Sequence, residues 1–418
     1  MTIIILAVFY IFTPLLILHL CHRFPFVNKL GAVIIAYVVG LVLGNIGILP
    51  SMGAYLNEYL LLYKNATPED IENLYHAGLI SENDLLAFKI YSIRDLLMSI
   101  TILLAIPLML FSANVKEWGR LARGTIKSLL IGFFSVLVVI VAGFFIFRGW
   151  GMDDLWKVSG LLVGVYTGGT PNLASLKMVL DVDADTYILT HTYDLIIGVF
   201  YLTFLISVGK TLFHRFLPKF PIPLDPVNVK DLDGKDPFWG ILRRKKFLPL
   251  LKAYGFAIII LAVGFALSQI VPEGSVMVVV ILSITTMGIL ASLIPSINRI
   301  DKTFESGMYL ILIFSIVVAS MADVRNFAGL TPGLFAYVTM AVFGSLILHV
   351  LLSKLFRVDS DTTMITSVAF ICSPPFVPVI AGAIGNRHIV ITGITIGIIG
   401  YAVGNYLGYL VATVLSTF

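Results

Sequence analysis

Charge is scarce in this sequence. Asp, Glu, Lys and Arg make up 12% of the 418 residues, and 58% are hydrophobic. A soluble globular domain carries about 25% charged residues, so that class does not fit. Cysteine is nearly absent. Cys21 and Cys372 lie at or in apolar segments, which gives neither a disulfide framework nor a zinc cluster. No His-Glu-Xaa-Xaa-His motif occurs. Tyr193–Asp194 resembles half of an intramembrane aspartyl protease pair, but no second Gly-Xaa-Gly-Asp segment accompanies it, so no enzyme is expected. The first apolar run, 3–20, lacks a basic flank and a small-residue cleavage site, and reads as a permanent helix rather than a signal peptide. The net charge of +4 gives no reason to expect a nucleic-acid partner.

What the chain does have is apolar runs of about twenty residues, the length a hydrocarbon core demands. Spans are expected near 3–21, 30–49, 95–113, 127–147, 186–208, 249–271, 275–294, 306–322, 333–353 and 389–415. The fold class is all-α polytopic membrane protein. Two further apolar segments, 157–180 and 362–385, are interrupted at their centres. The first carries GVYTGGTPNLASLKMVL (164–180) and the second VAFICSPPFVPVIAGAIGN (368–386). Non-helical backbone at membrane depth is tolerated only where protein or a water-filled cavity covers it.

Short echoes suggest a repeat. AIIILAVGFAL (257–267) echoes IIILAVFYIF (3–12), and SMADVRNF (320–327) echoes SANVKEW (112–118). The halves are 1–210 and 249–418, joined by a basic linker, 211–248, and each carries one broken segment in its fifth place. Lys and Arg favour cytoplasmic loops. If both broken segments are re-entrant hairpins, there are ten spans with both termini outside, and 20 Lys/Arg fall inside against 5 outside. If both cross, the better orientation gives 17 against 8. The hairpin reading is favoured. It makes the halves inverted relative to one another, the architecture of secondary transporters.

Candidate site residues follow from the breaks. Gly168 and Gly169 let the chain turn and let other backbone approach. Thr170 and Asn172 supply oxygens. Ser373, with the carbonyls freed around Pro374 and Pro375, would do the same from the second half, the tips meeting near the bilayer centre. The alternative is that Gly and Pro merely kink two packed helices; two such breaks at equivalent places favour the functional reading. Asp194 lies deep in its helix with no Lys or Arg within a turn, and ionisable residues there mark ion or substrate pathways. Tyr187, Thr190, His191, Asp194, Gly198 and Tyr201 share one helical face. Asp194 and Asn172 are candidate Na⁺ ligands. Asp194 could instead carry a proton, or form a structural pair with His191. Lys177 is a candidate charge partner for a substrate, or it snorkels toward Asp181. Arg387 and His388 read as interfacial anchors, and Asn114 and Asp323 rank low. Gly393, Gly397, Gly400, Gly404 and Gly408 are spaced for close helix packing, with Asn405 a deep polar residue among them. Gly40, Gly44 and Asn45 make a shorter such surface. Residues 68–95 read as one or two surface helices broken at Gly78.

YTGGTPNLASLKMVL, THTYDLIIG and CSPPFVPVIAGAIGN resemble the YjcL-like family of membrane proteins of unknown function, over nearly the whole chain. More distantly the architecture is similar to the group of sodium–proton antiporters and of bile-acid and citrate sodium symporters. That resemblance implies an elevator-type mechanism: a mobile core of broken segments and last helices moves against a scaffold of first helices, with a homodimer at the scaffold. It supplies no substrate, and the scarcity of deep basic residues disfavours a di- or tricarboxylate. The expected function is a plasma-membrane secondary transporter of a small polar organic solute, with Na⁺ as coupling ion and no other cofactor. A proton-coupled carrier or Na⁺/H⁺ antiporter is the nearer alternative, an ion channel the more distant one.

Overall fold

The computed structural model describes residues 2–24, 32–63, 66–113, 123–152, 154–220, 244–272, 276–321, 332–384, 386 and 389–418. Among them every regular element is helical. The helices of eight residues or more are α1 (Thr2–Arg23), α2 (Ala32–Asn45), α3 (Ala54–Leu62), α4 (Pro68–His76), α5 (Glu82–Phe111), α6 (Arg123–Phe147), α7 (Leu155–Val179), α8 (Ala184–Phe216), α9 (Arg244–Ser268), α10 (Val276–Ser292), α11 (Thr303–Ala319), α12 (Pro332–Leu355), α13 (Ser360–Ile371), α14 (Val377–Ile384) and α15 (Val390–Leu415). Seven, namely α1, α5, α6, α8, α9, α12 and α15, are long and apolar enough to cross a membrane. The three shorter apolar helices, α2, α10 and α11, fall on the remaining expected spans. The helix expected to end near 208 continues to Phe216 through a π-turn at Leu205–Gly209, and α9 starts at Arg244, so both ends of the expected linker are helical. Asn114, Asp323, Arg387, His388 and most of the linker lie outside the described residues.

The chain divides into two compact units, each drawing on both halves of the sequence. The first comprises Met1–Thr101 and Tyr309–Ala328. Here α2 packs on the end of α11: a Cβ on Gly40 would lie 2.7 Å from the Ala319 Cβ, and one on Gly44 2.9 Å from the Ser320 carbonyl carbon. Tyr10 ties that contact, with its hydroxyl 2.6 Å from Ser320 Oγ and accepting from Arg94 Nε at 3.0 Å. Outside the apolar helices, Thr67 and Asp70 form a reciprocal cap on α4. The Thr67 backbone and side-chain donors hold the Asp70 carboxyl below its usual range. Gly78, at φ +70, separates α4 from α5 as the sequence predicts.

The second unit comprises Ile102–Met308 and Gly329–Phe418. Its organising element is α15. The five glycines of that helix carry no side chain where two broken segments dock. A Cβ on Gly393 would meet Val377, and one on Gly397 would meet the Pro374 ring. One on Gly400 would strike the Thr167 carbonyl, one on Gly404 would stand 2.6 Å from Thr167 Oγ1, and one on Gly408 2.9 Å from the Gly160 carbonyl. The first two glycines therefore serve the second broken segment and the last three the first. This is small-residue packing as in membrane bundles, where close backbone approach replaces the hydrophobic effect.

That packing sets a test. Gly400→Ala places a methyl on backbone that cannot move aside, and overpacking of this kind costs about 1–3 kcal/mol. Gly198→Ala on α8 meets nothing within 4 Å. Thermal unfolding of the purified protein should show a clear loss for Gly400→Ala and none for Gly198→Ala.

Candidate functional site

α7 is a helical hairpin. Gly169 has φ 66 and ψ −165, a conformation open to glycine and strained for other residues. The chain turns there and returns along its own first arm. A Cβ on Gly160 would lie 2.7 Å from Leu180 Cδ1, and Lys157 Nζ donates to the Asp181 carbonyl at 3.2 Å. A continuous helix would separate those last two residues by about 36 Å. Gly168 serves the close approach rather than the turn: a Cβ there would lie 2.8 Å from the Gly400 carbonyl and collide with Asn172.

The second broken segment repeats the construction. α13 ends at Ile371, Ser373 has φ 76 and ψ 160, and a short 3₁₀ turn, Pro374–Phe376, leads into α14. Asn386 Nδ2 donates to Asp361 Oδ2 at 2.9 Å, closing the base of this hairpin. In both hairpins the residue with positive φ makes the break and proline follows it. Pro171 and Pro374 stand in the first turn of the returning arm, where the missing N–H has no helical partner to lose. The prolines thus begin the second arms.

The two breaks touch. A Cβ on Gly169 would lie 3.1 Å from Ser373 Cβ and 3.5 Å from the Tyr401 ring. Asn172, 3% exposed, donates from Nδ2 to the Gly400 carbonyl at 3.3 Å. No donor among the described residues reaches its Oδ1. Thr170 is half-buried beside it. Asn405 accepts from Ser175 Oγ and donates to Thr285 Oγ1 at 3.4 Å, so its amide braces the returning arm of α7 against α10.

Asp194 is 8% exposed on α8. His191 Nδ1 stands 3.4 Å from its carboxylate, which realises the pair that the three-residue spacing suggests. The carboxylate also lies within electrostatic reach of the Tyr166 hydroxyl, three residues before the first break, and of the Cys372 thiol, next to the second. Asp194 therefore belongs with the two tips. Lys177 is 8% exposed and lies eight residues beyond the break, about 12 Å along its arm. Among the described residues no three of His, Cys, Asp and Glu converge as a transition-metal cluster would require. The donors gathered at the tips are instead one carboxylate, hydroxyls, an amide oxygen and backbone carbonyls.

Several pairings near these elements join residues far apart in the sequence. Tyr201 and Ser367 join α8 to α13 at 2.6 Å. Ser128 Oγ stands 3.2 Å from His349 Nε2 and donates to Thr366 Oγ1 at 2.8 Å. At the base of the second hairpin, Asp361 meets His214 at 3.2 Å as well as Asn386, and Lys210 donates to the Ile384 carbonyl. The hydroxyl-dense run DSDTTMITS (359–367) is the one sequence signal that points to this layer.

A family model described as a protein of unknown function, DUF819, matches residues 74–418. The chain belongs to the DUF819 family. It is also 23% identical over 339 residues, 78% of this chain and 84% of the relative, to the uncharacterized membrane protein YjcL of Bacillus subtilis (strain 168). The matched region of the DUF819 chain contains both hairpins, Asp194 and the glycine-lined α15. With its apolar helices, this makes the chain a multi-pass membrane protein.

Ser373 holds a backbone conformation that favours glycine at a cost of order 1–3 kcal/mol. Ser373→Gly should therefore raise the melting temperature. Gly169→Ala, which adds both strain and a collision with Ser373, should lower it. Unchanged melting in both variants would contradict the assignment of the breaks.

Proposed function

We propose that this chain is a secondary active transporter of a small polar organic solute, coupled to Na⁺ and working by alternating access in the plasma membrane. The observation that carries the reading is the meeting of two hairpin breaks of like conformation beside a buried carboxylate. Secondary carriers place solute and ion sites where discontinuous helices meet at the interface of repeats. On this reading the halves 1–210 and 249–418 are inverted repeats, both termini lie outside, and ten spans carry the two re-entrant hairpins. The hairpins and last helices form the mobile core of an elevator. The first helices form its scaffold and a homodimer surface.

Na⁺ is a hard cation that takes oxygen ligands, as Ca²⁺ and Mg²⁺ do. Asn172 Oδ1 and the Asp194 carboxylate are its protein ligands in this proposal, with backbone carbonyls freed at Gly169 and around Pro374 and Pro375 completing the shell. Ser373 and Thr170 face the solute, and Lys177 serves as a charge partner along the arm. Proton coupling is the second reading. It is favoured by the burial of Asp194 with His191 at 3.4 Å, a pair that can share a proton.

Proteoliposomes test the proposal. An inward Na⁺ gradient is imposed in a mixture of polar metabolites, and accumulation is read by mass spectrometry. At least one solute should accumulate saturably with the Na⁺ gradient, and Asp194→Asn should reduce that uptake at least tenfold. Accumulation that follows a pH gradient alone would replace Na⁺ by H⁺. Unitary currents without concentrative uptake would make the protein a channel.

A further inference from the structure

The base of the second hairpin holds a carboxylate whose partners come from three places in the chain. Asp361, 6% exposed in the first turn of α13, accepts at Oδ2 from Asn386, which lies just beyond α14, at 2.9 Å. Its Oδ1 accepts from Ser360 Oγ at 3.1 Å and lies 3.2 Å from His214 Nε2 on α8. An ionised carboxylate has no proton to give, so Nε2 is the donor in that bond. Lys210, one turn earlier on α8, donates to the Ile384 carbonyl, and the Ser360 backbone N–H donates to the Pro218 carbonyl at 2.9 Å. Both arms of the hairpin are thereby fastened to the end of α8.

A buried carboxylate is costly unless a positive charge meets it. Ser360 and Asn386 are neutral. Among the described residues His214 is the one basic side chain within 4 Å of Asp361. The other charged groups of the neighbouring elements are engaged elsewhere. Lys210 is on the Ile384 carbonyl, Lys354 of α12 stands 5.7 Å from the Phe216 ring centroid, and the Asp359 carboxylate accepts from the Thr362 N–H at 2.8 Å. Arg215, Lys219 and Arg357 are exposed. Lysine, arginine and aspartate as residue types keep their charge between pH 6 and 8, whereas imidazole gains or loses a proton there. The His214 side chain is 26% exposed and sits six residues past 208, the expected end of its span, where protons from solvent reach it.

We propose that His214 and Asp361 form a pH-operated latch on the second hairpin. Protonation of His214 turns the contact into a charge-assisted bond and closes the base. Deprotonation leaves a neutral donor against a buried negative charge and loosens it. The base is therefore tight at pH 6 and loosens as pH rises toward 8. The base of the first hairpin has a different clasp, in which Lys157 holds the Asp181 carbonyl at 3.2 Å and the Asp154 carboxylate at 2.9 Å. Those residue types keep their charge over the same range, so only the second hairpin responds. The latch goes beyond the transport reading and stands apart from the choice of coupling ion. In the proposed topology it makes the freedom of the second hairpin depend on cytoplasmic pH.

Hydrogen–deuterium exchange of the purified full-length protein at pH 6 and pH 8, corrected for the intrinsic pH dependence of exchange, tests the latch without any transport assay. Residues 360–366 and 380–384 are read, with α4 and residues 155–162 as references. The unaltered protein should be about fivefold more protected at pH 6 than at pH 8, the margin of a charged over a neutral hydrogen bond. His214→Gln, which keeps a neutral donor, should be loose at both pH values. His214→Arg, always charged, should be tight at both, and this separates loss of charge from loss of folding. Asp361→Asn should abolish the pH response. Equal protection of the unaltered protein at pH 6 and 8 overturns the latch. A pH response that survives His214→Gln also overturns it, whichever histidine then carries the response, His388 included. A loose base in His214→Arg at both pH values overturns it as well, because charge at 214 would not be what closes the hairpin.

Discussion

The contact between Gly169 and Ser373 is the constraint on which the rest of the second unit depends. Each residue takes a positive-φ conformation that ends a helix where apolar sequence continues on both sides. A break of this kind releases carbonyls and amides, and hydrocarbon offers them nothing. Two breaks set against one another, with protein around both, make such backbone tolerable. The glycines of α15 allow that arrangement. A side chain at 400 or 404 would push the first tip outward, and one at 397 would displace the second. A single helix with a bare face thereby holds both hairpins in register.

The polar groups around the tips fall into two kinds. Asn405, Ser175, Thr285, Tyr201 and Ser367 are bonded to one another and fasten helices together. Cross-helix hydrogen bonds of this sort contribute on the order of 1 kcal/mol each in a membrane. Asp194 is different: it is a buried carboxylate whose neighbours are the His191 ring at 3.4 Å and the Tyr166 hydroxyl, with no Lys or Arg within a helical turn of it in sequence.

Much of this was legible in the sequence, for physical reasons that can be named. The broken segments were visible because Gly-Gly and Pro-Pro interrupt otherwise continuous apolar runs, and the hairpins begin and end within about two residues of the expected bounds. The charge distribution favoured re-entry, and both hairpins do return to their starting ends. The His191–Asp194 pair followed from helical spacing. Tyr166 was not legible, because a tyrosine in an apolar run looks like core until its hydroxyl is placed. The Tyr201–Ser367 pair spans 166 residues, and the bond between His214 and Asp361 spans 147; no local pattern encodes either. The turn at Gly169 follows from the Gly-Gly pair, whereas the positive φ of Ser373, just before Pro374, has no signal in the sequence.

The central claim is that the two hairpins form one ion site rather than two independently packed bends. Hydrogen–deuterium exchange of the purified protein, with and without Na⁺ at constant ionic strength, tests it most directly. The account predicts that Na⁺ slows exchange together at residues 164–177 and 366–377, and leaves the Thr67-capped helix α4 unchanged. Protection confined to one hairpin, or exchange indifferent to Na⁺ at both, would contradict it.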